Sequence, residues 1–160
     1  MNFSPKTLNA RTAVATIAGL ALTLSLSSCA ATVSLEAAAD SNNPACAEVS
    51  VRLPNQIDTL ERRPTDAQAT GAWGTPASVI ARCGLPPVTV SQLPCITAGG
   101  VDWLVDESAK PSYRFISFGR NPATEVIVDS KLASGASALD AIGPAVAHIK
   151  TTDHCLATLK

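Results

Sequence analysis

Several residue types that build catalytic or metal sites are scarce in this sequence. It has two histidines, and none of its five cysteines forms a C-x-x-C pair. Two histidines without a third convergent ligand make a poor zinc site, and a thiolate site needs cysteines at closer spacing. A G-x-S-x-G motif is also absent, so the strand-to-helix turn of a serine hydrolase is not indicated. We therefore expect neither a metal nor another cofactor.

Charged residues are missing from the stretch between Thr12 and Leu26, which is rich in alanine and leucine and follows Lys6 and Arg11. A charged start before an apolar run is the layout of a secretory signal. The run of about 15 residues is shorter than the ~20 that a membrane-spanning helix needs, so a transmembrane anchor is the weaker interpretation. We predict that residues 1–28 are a helical signal segment.

The apolar run ends in Leu26-Ser27-Ser28-Cys29, which resembles the lipobox of bacterial lipoproteins. In that signal the cysteine thiol receives a lipid, and cleavage occurs just before the cysteine. The alternative is an ordinary small-residue cleavage site ending at Ala30, with an incidental thiol beside it. We predict lipidation of Cys29, because a diacylglyceryl group with two acyl chains holds a protein stably to a bilayer. The predicted location is the outer face of the cytoplasmic membrane.

The remaining 132 residues suffice for one modest domain, which we place at residues 44–160. Without Lys6 and Arg11, ten basic residues stand against 13 acidic ones, a formal charge of −3. A mildly acidic domain argues against nucleic acid as a partner. Residues 29–43, rich in alanine, serine and asparagine, are predicted to form a flexible tether. We expect a monomer whose partner is the membrane and an unknown envelope protein or ligand.

Four cysteines remain once Cys29 is assigned to lipid: Cys46, Cys83, Cys95 and Cys155. An even number in an exported chain indicates two disulfides. Three pairings are possible. We favour Cys83–Cys95, which closes a short proline-rich loop, together with Cys46–Cys155, which joins the start of the domain to its end.

The apolar pattern predicts an α+β domain. Asn43-Pro44 marks the start of a helix that stops at Pro54. Apolar residues from Leu139 to Ile149 recur at helical spacing, with Pro144 expected to kink or split that helix. A short helix is possible over residues 66–72, within a turn-rich region. Strands are predicted over residues 77–83, 101–106, 113–118 and 124–128. The last three form an antiparallel meander, a small sheet with helices packed on one face.

Arginines within strands are the candidate binding residues: Arg82, Arg114 and Arg120. A buried arginine needs a partner, and internal ion pairs with Asp102, Asp106 or Glu125 would supply one. The alternative is an anion-binding groove in which guanidinium groups bind a carboxylate or phosphate. Trp73 and Trp103 would stack on that ligand, although their neighbours favour a place in the core.

Other residues with reactive side chains have simpler structural interpretations. His154-Cys155 are adjacent, but an exported cysteine is more often a disulfide partner than a nucleophile. His148 is expected to face solvent or to lie at a helix end. Asp102 and Asp106 are spaced about 13 Å apart on a strand, too far for a glycosidase pair, and are expected to be solvated. We predict no catalytic residue.

Three stretches together resemble an uncharacterised family of actinobacterial exported proteins, domain of unknown function 3515. They are Trp73-Gly74-Thr75-Pro76-Ala77-Ser78-Val79-Ile80-Ala81-Arg82-Cys83-Gly84, Gly100-Val101-Asp102-Trp103 and Gly119-Arg120-Asn121-Pro122-Ala123-Thr124-Glu125-Val126. The resemblance covers about residues 44–156 and implies an exported or lipid-anchored envelope domain, with no activity to transfer. The lipobox, the even set of four cysteines and the absence of a catalytic constellation favour a non-enzymatic binding or interaction module. The alternative function is a small envelope enzyme or carrier that recognises an anionic ligand through the strand arginines.

Overall fold

The computed structural model describes residues 31–155. Cys29 and the predicted signal segment lie outside the described residues. Within residues 31–155 the chain forms two helices and eight strands. In chain order they are α1 (Pro44–Arg52), β1 (Gln56–Ile57), β2 (Leu60–Arg63), β3 (Thr70–Trp73), β4 (Val79–Leu85), β5 (Cys95–Ala98), β6 (Val101–Asp106), β7 (Ser112–Ser117), β8 (Ala123–Asp129) and α2 (Gly135–Val146).

All eight strands belong to one antiparallel sheet in the order β1-β2-β3-β4-β8-β7-β6-β5. Strands β1 to β4 form one meander and β5 to β8 form another, and the two join where β4 pairs with β8. Helix α2 contacts both β1 and β5, which lie at opposite edges, so the sheet curves around this helix. The predicted α+β fold, an antiparallel meander with helices on one face, is confirmed.

Helix α1 begins at the residue that the sequence indicates, and both helices have a side-chain cap at their N-terminus. The Asn43 side chain accepts a hydrogen bond from the Ala45 N–H at 3.0 Å, and Pro44 occupies the first turn of α1, where its missing N–H costs nothing. Ser134 caps α2 in the same way. Pro144 lies inside α2, two residues before its last residue Val146, and does not split the helix. Neither helix is long and apolar enough to cross a membrane, a statement limited to residues 31–155.

The structure differs from the prediction before β4 and before β6. Residues 66–72 do not form a helix; Thr70–Trp73 is a strand that is buried along its whole length. Its centre is Gly71-Ala72, two small residues that give no alternating pattern. Strand β5 was also not predicted. It forms a hairpin with β6 through Gly99-Gly100, whose φ angles of 57° and 75° are those that a two-residue turn between antiparallel strands requires.

The main core lies between the sheet and the helices. Trp73 and Trp103 are both fully buried there, as predicted, and their indole N–H groups donate to the carbonyl oxygens of Pro54 and Ala98. The opposite face of the sheet carries a smaller apolar cluster built on Leu104, Ile116 and Ala123. The second face of the central strands is therefore partly covered, and a charged residue that is buried there needs an internal partner.

Residues 31–43 contact the folded domain, which differs from the flexible tether predicted for residues 29–43. The Val33 N–H donates to the Pro64 carbonyl at 2.9 Å, and the Leu35 N–H donates to the Asp66 carboxylate at 2.8 Å. Farther along, the Asp40 N–H donates to the Gly84 carbonyl at 3.0 Å. These backbone contacts depend on β2 to β4, so composition alone could not predict them.

Candidate functional site

Two of the three candidate arginines meet at one carboxylate on the face of the sheet opposite the helices. Arg82 on β4 is directly across from Glu125 on β8, and Arg114 on β7 reaches Glu125 diagonally. The Arg82 Nε lies 2.6 Å from Glu125 Oε1, and the Arg114 Nε contacts Oε2. The Glu125 side chain is 1% exposed, whereas those of Arg82 and Arg114 are 30% and 39% exposed.

This cluster is close to electrically balanced. Arg114 is also across the ladder from Asp106 on β6. The pKa of Asp106 is lowered, first by hydrogen bonds from Ser108 and then by the charge of Arg114. Two guanidinium groups are thus accompanied by two carboxylates. This arrangement is an internal ion-pair cluster, the first of the two interpretations of these arginines. Both guanidinium groups already have carboxylate neighbours, so neither is left without a partner to bind an anion.

Arg120 lies elsewhere and does not join the other two arginines. Its guanidinium donates to the carbonyl oxygens of Ala147 and Ile149, just beyond the last residue of α2, and to Gly100 at 3.5 Å. The residue is 6% exposed, and this burial lowers its pKa. A cation at these carbonyls complements the negative end of the helix dipole. Arg120 is therefore a cap for α2, and Glu125 is not its partner.

A second arginine, Arg62, caps the C-terminal end of α1. Arg62 was not among the residues predicted from the sequence. Its guanidinium donates to the carbonyl oxygens of Leu53 and Ser50 at 3.2 and 3.4 Å. Burial also lowers the pKa of Arg62. Because these contacts depend on how β2 folds back on α1, no sequence signal near Arg62 indicates them.

Asp102 connects β6 to the end of the described chain. Its carboxylate accepts hydrogen bonds from the Thr97 hydroxyl at 2.6 Å and from the Cys155 N–H at 3.1 Å, and it contacts the His154 ring at 3.1 Å. Burial alone would raise the pKa of Asp102, but these hydrogen bonds and the histidine outweigh it, so the pKa is lowered. Asp102 and Asp106 therefore have different partners and do not form one site.

The cysteines pair as Cys46–Cys83 and Cys95–Cys155, so two disulfides are present but the favoured pairing was wrong. The reason is the sheet. Cys83 is buried on the helix-covered face, where α1 brings Cys46 to it, with a Cα–Cα distance of 5.5 Å. Cys95 belongs to the cluster on the opposite face. Cys83 and Cys95 cannot bond to each other from opposite sides of the sheet.

The Cys95–Cys155 disulfide borders an open cleft of about 580 Å³ that the sequence did not indicate. The cleft lies between the loop before β5 and the last described residues. It is lined by residues Thr89 to Cys95, by Leu104 and Phe118, and by Asp153 to Cys155. Val90 and Leu93 in this loop are apolar but exposed. Exposed apolar side chains beside a cleft are typical of a binding surface, and they are the one feature of this loop that indicates it.

The histidines do not assemble a metal site. His148 is exposed just after α2, in accordance with its prediction, and His154 contacts Asp102. In the part of the chain that the structure describes, no group of three or more histidine, cysteine or acidic side chains is placed to hold a metal ion.

The fold and these contacts define the protein as a disulfide-bonded α+β domain with internally paired strand arginines. Residues 8–154 match the family described as "Protein of unknown function (DUF3515)", and because the match spans most of the chain, the chain belongs to this family. Comparisons with curated proteins and with solved structures gave no match.

Proposed function

We propose that this protein is an exported, lipid-anchored binding or interaction module of the cell envelope, without catalytic activity. One observation carries the proposal: the four cysteines after Cys29 pair with one another in two disulfides, so Cys29 takes part in neither of them. Disulfides form and persist outside the reducing cytosol. Cys29 in turn ends a signal-like segment, in the position that lipidation requires.

The path of the chain suggests how such an anchor would hold the domain. The carbonyl oxygen of Ala31, two residues after Cys29, accepts a hydrogen bond from Arg63 on β2. Two residues span at most ~7 Å. In this proposal the β2 side of the domain therefore lies close to the outer face of the cytoplasmic membrane. The cleft beside Cys95–Cys155 would bind an envelope partner.

The alternative function, recognition of an anionic ligand by strand arginines, lacks support in the geometry. It requires Arg82, Arg114 and Arg120 to converge on an open groove without carboxylate partners. Instead, Glu125 binds the first two, and helix-end carbonyl oxygens bind the third. We therefore do not propose an anionic ligand for these residues.

Metabolic labelling with a palmitate analogue tests the anchor. In bacteria that process lipoproteins, the wild type should incorporate label and sediment with membranes. Cys29→Ala should lose the label and leave the membrane fraction. Ser28→Ala, which keeps a small residue before the cysteine, is the matched control and should behave as the wild type. Membrane retention of unlabelled Cys29→Ala would contradict lipid anchoring.

A further inference from the structure

The two disulfides differ in their exposure to solvent. Cys46 and Cys83 are 0% and 2% exposed and belong to the main core between sheet and helices. Cys95 and Cys155 are only half-buried, and both line the open cleft. A reductant dissolved outside the protein can therefore approach one disulfide in the folded domain and not the other.

Access decides which disulfide reacts. Thiol–disulfide exchange begins when a thiolate attacks one sulfur of the disulfide, so a sulfur enclosed by packed side chains reacts only after the protein opens. The cleft beside Cys95–Cys155 is lined partly by apolar side chains, including Leu93, Leu104 and Phe118. An extended segment of a partner carrying a dithiol could lie against them while its thiolate reaches the disulfide.

The accessible disulfide also holds the last described segment in place. We call residues Thr151–Cys155 the C-terminal strap. Thr151 forms a single β-bridge with Arg120, the Thr152 N–H donates to the Gly119 carbonyl at 2.7 Å, and Asp102 accepts from the Cys155 N–H. The hydroxyls of Thr151 and Thr152 also donate to the Gly119 carbonyl, and the His154 ring contacts Asp102. The strap contains no helix or extended strand, so the disulfide is its one covalent link to the rest of the domain besides the chain itself.

We propose that Cys95–Cys155 is a redox modification site, reduced in the folded domain by an external dithiol, and that its reduction releases the C-terminal strap. One thiolate of the dithiol attacks a sulfur of the disulfide, the Cys95–Cys155 bond breaks, and the leaving thiolate takes a proton. The second thiol of the reductant then resolves the mixed disulfide. The products are two protein thiols and an oxidised dithiol. The site belongs to the folded domain itself and does not depend on lipid attachment.

Differential alkylation of the full-length protein tests the site, with dithiothreitol as the dithiol. After brief reduction without denaturant, trapping with iodoacetamide and mass mapping should find Cys95 and Cys155 alkylated and Cys46 and Cys83 still bonded. Because thiol–disulfide exchange requires that the reductant reach a sulfur atom, Cys95–Cys155 should be reduced on the order of tenfold faster than Cys46–Cys83, or more. Equal rates for the two pairs, or no reduction without urea, would overturn the proposal.

A second measurement tests the release of the strap. Hydrogen exchange of the amides of residues 151–155 should accelerate on reduction, also on the order of tenfold, while the amides of β8 stay protected. The double variant Cys95→Ser/Cys155→Ser should show the faster exchange without reductant and should yield no early alkylation. If the strap amides of the reduced protein stay as protected as those of the oxidised protein, the strap is not released and the proposal fails.

Discussion

Gly143 in α2 and Gly99 in the β5–β6 hairpin touch backbone to backbone. A Cβ atom on Gly143 would lie 2.5 Å from the Gly99 carbonyl oxygen and 2.7 Å from its Cα. The Gly99 N–H donates to the Asp140 carboxylate, one helical turn before Gly143, at 3.0 Å. Helix α2 can therefore rest on the edge of the curved sheet because neither glycine has a side chain.

Gly143→Ala should destabilise the protein. Alanine favours helix by up to about 1 kcal/mol relative to glycine, yet overpacking against a fixed backbone typically costs ~1–3 kcal/mol. We expect the second effect to dominate, so that urea denaturation shows a net loss of about 1–2 kcal/mol in the free energy of unfolding.

Ser137→Ala in the same helix is the matched control for Gly143→Ala. It removes a hydroxyl without adding volume, and its effect should stay within about 0.5 kcal/mol. If Gly143→Ala were as stable as the wild type, the backbone contact with Gly99 would be looser than these distances state.

Glu125→Gln should be strongly destabilising, because Glu125 is the carboxylate that Arg82 and Arg114 share. The amide keeps the size of the side chain but removes the charge that compensates the two guanidinium groups. Breaking a fully buried ion pair costs ~3–5 kcal/mol, and the partial exposure of both arginines reduces this to an expected ~2–3 kcal/mol. Chemical denaturation at pH 7 measures the loss.

Glu107→Gln provides the matched control for the buried carboxylate. Glu107 pairs with Lys110, but both side chains are about half exposed. Removing one charge of an exposed pair should change the free energy of unfolding by less than about 1 kcal/mol. Equal losses in Glu125→Gln and Glu107→Gln would mean that burial does not strengthen the shared site.

The sequence predicts the strands and helices that have a clear local pattern. Alternation from Val101 to Asp106 predicts β6 with its correct ends, and Asn43-Pro44 predicts the start of α1. Strand β3 is not predictable in the same way, because its residues are buried on both faces and include Gly71 and Ala72. Its burial results from the strands on either side, which a local pattern does not contain.

The ion pairs and disulfides were harder to predict because they depend on the topology. Glu125 was one of three candidate partners, but two arginines can reach it only because β8 lies between β4 and β7. The disulfides likewise depend on which face of the sheet each cysteine occupies. Because no local pattern predicts β5, the sequence does not indicate which face of the sheet Cys95 occupies, and the short separation from Cys83 favours the wrong pairing.

The double variant Cys46→Ala/Cys83→Ala should lose much of the stability of the domain. This disulfide closes a loop of 37 residues, for which chain-entropy arithmetic gives about 4 kcal/mol. Urea denaturation under oxidising conditions measures the difference from the wild type. When both proteins are measured with strong reductant in every sample, the wild type lacks the same cross-link and most of the difference should disappear. A difference that persists undiminished would assign the loss to packing in the core.

Asp102→Asn should destabilise the protein at neutral pH but not in acid. The pKa of Asp102 is lowered in the folded state, so its carboxylate stabilises the fold above the unfolded pKa of about 3.9, and this contribution is lost as pH falls through the folded pKa. Asparagine cannot titrate and accepts weaker hydrogen bonds from Thr97 and Cys155. We expect a loss of about 1–2 kcal/mol at pH 7, measured by urea denaturation. The difference in the free energy of unfolding between variant and wild type should narrow as the pH falls below about 4.

Glu61→Gln, at an exposed position, is the control for Asp102→Asn. It should match the wild type both at pH 7 and below about pH 4. If the difference for Asp102→Asn stays constant across this pH range, the charge of Asp102 does not hold the strap.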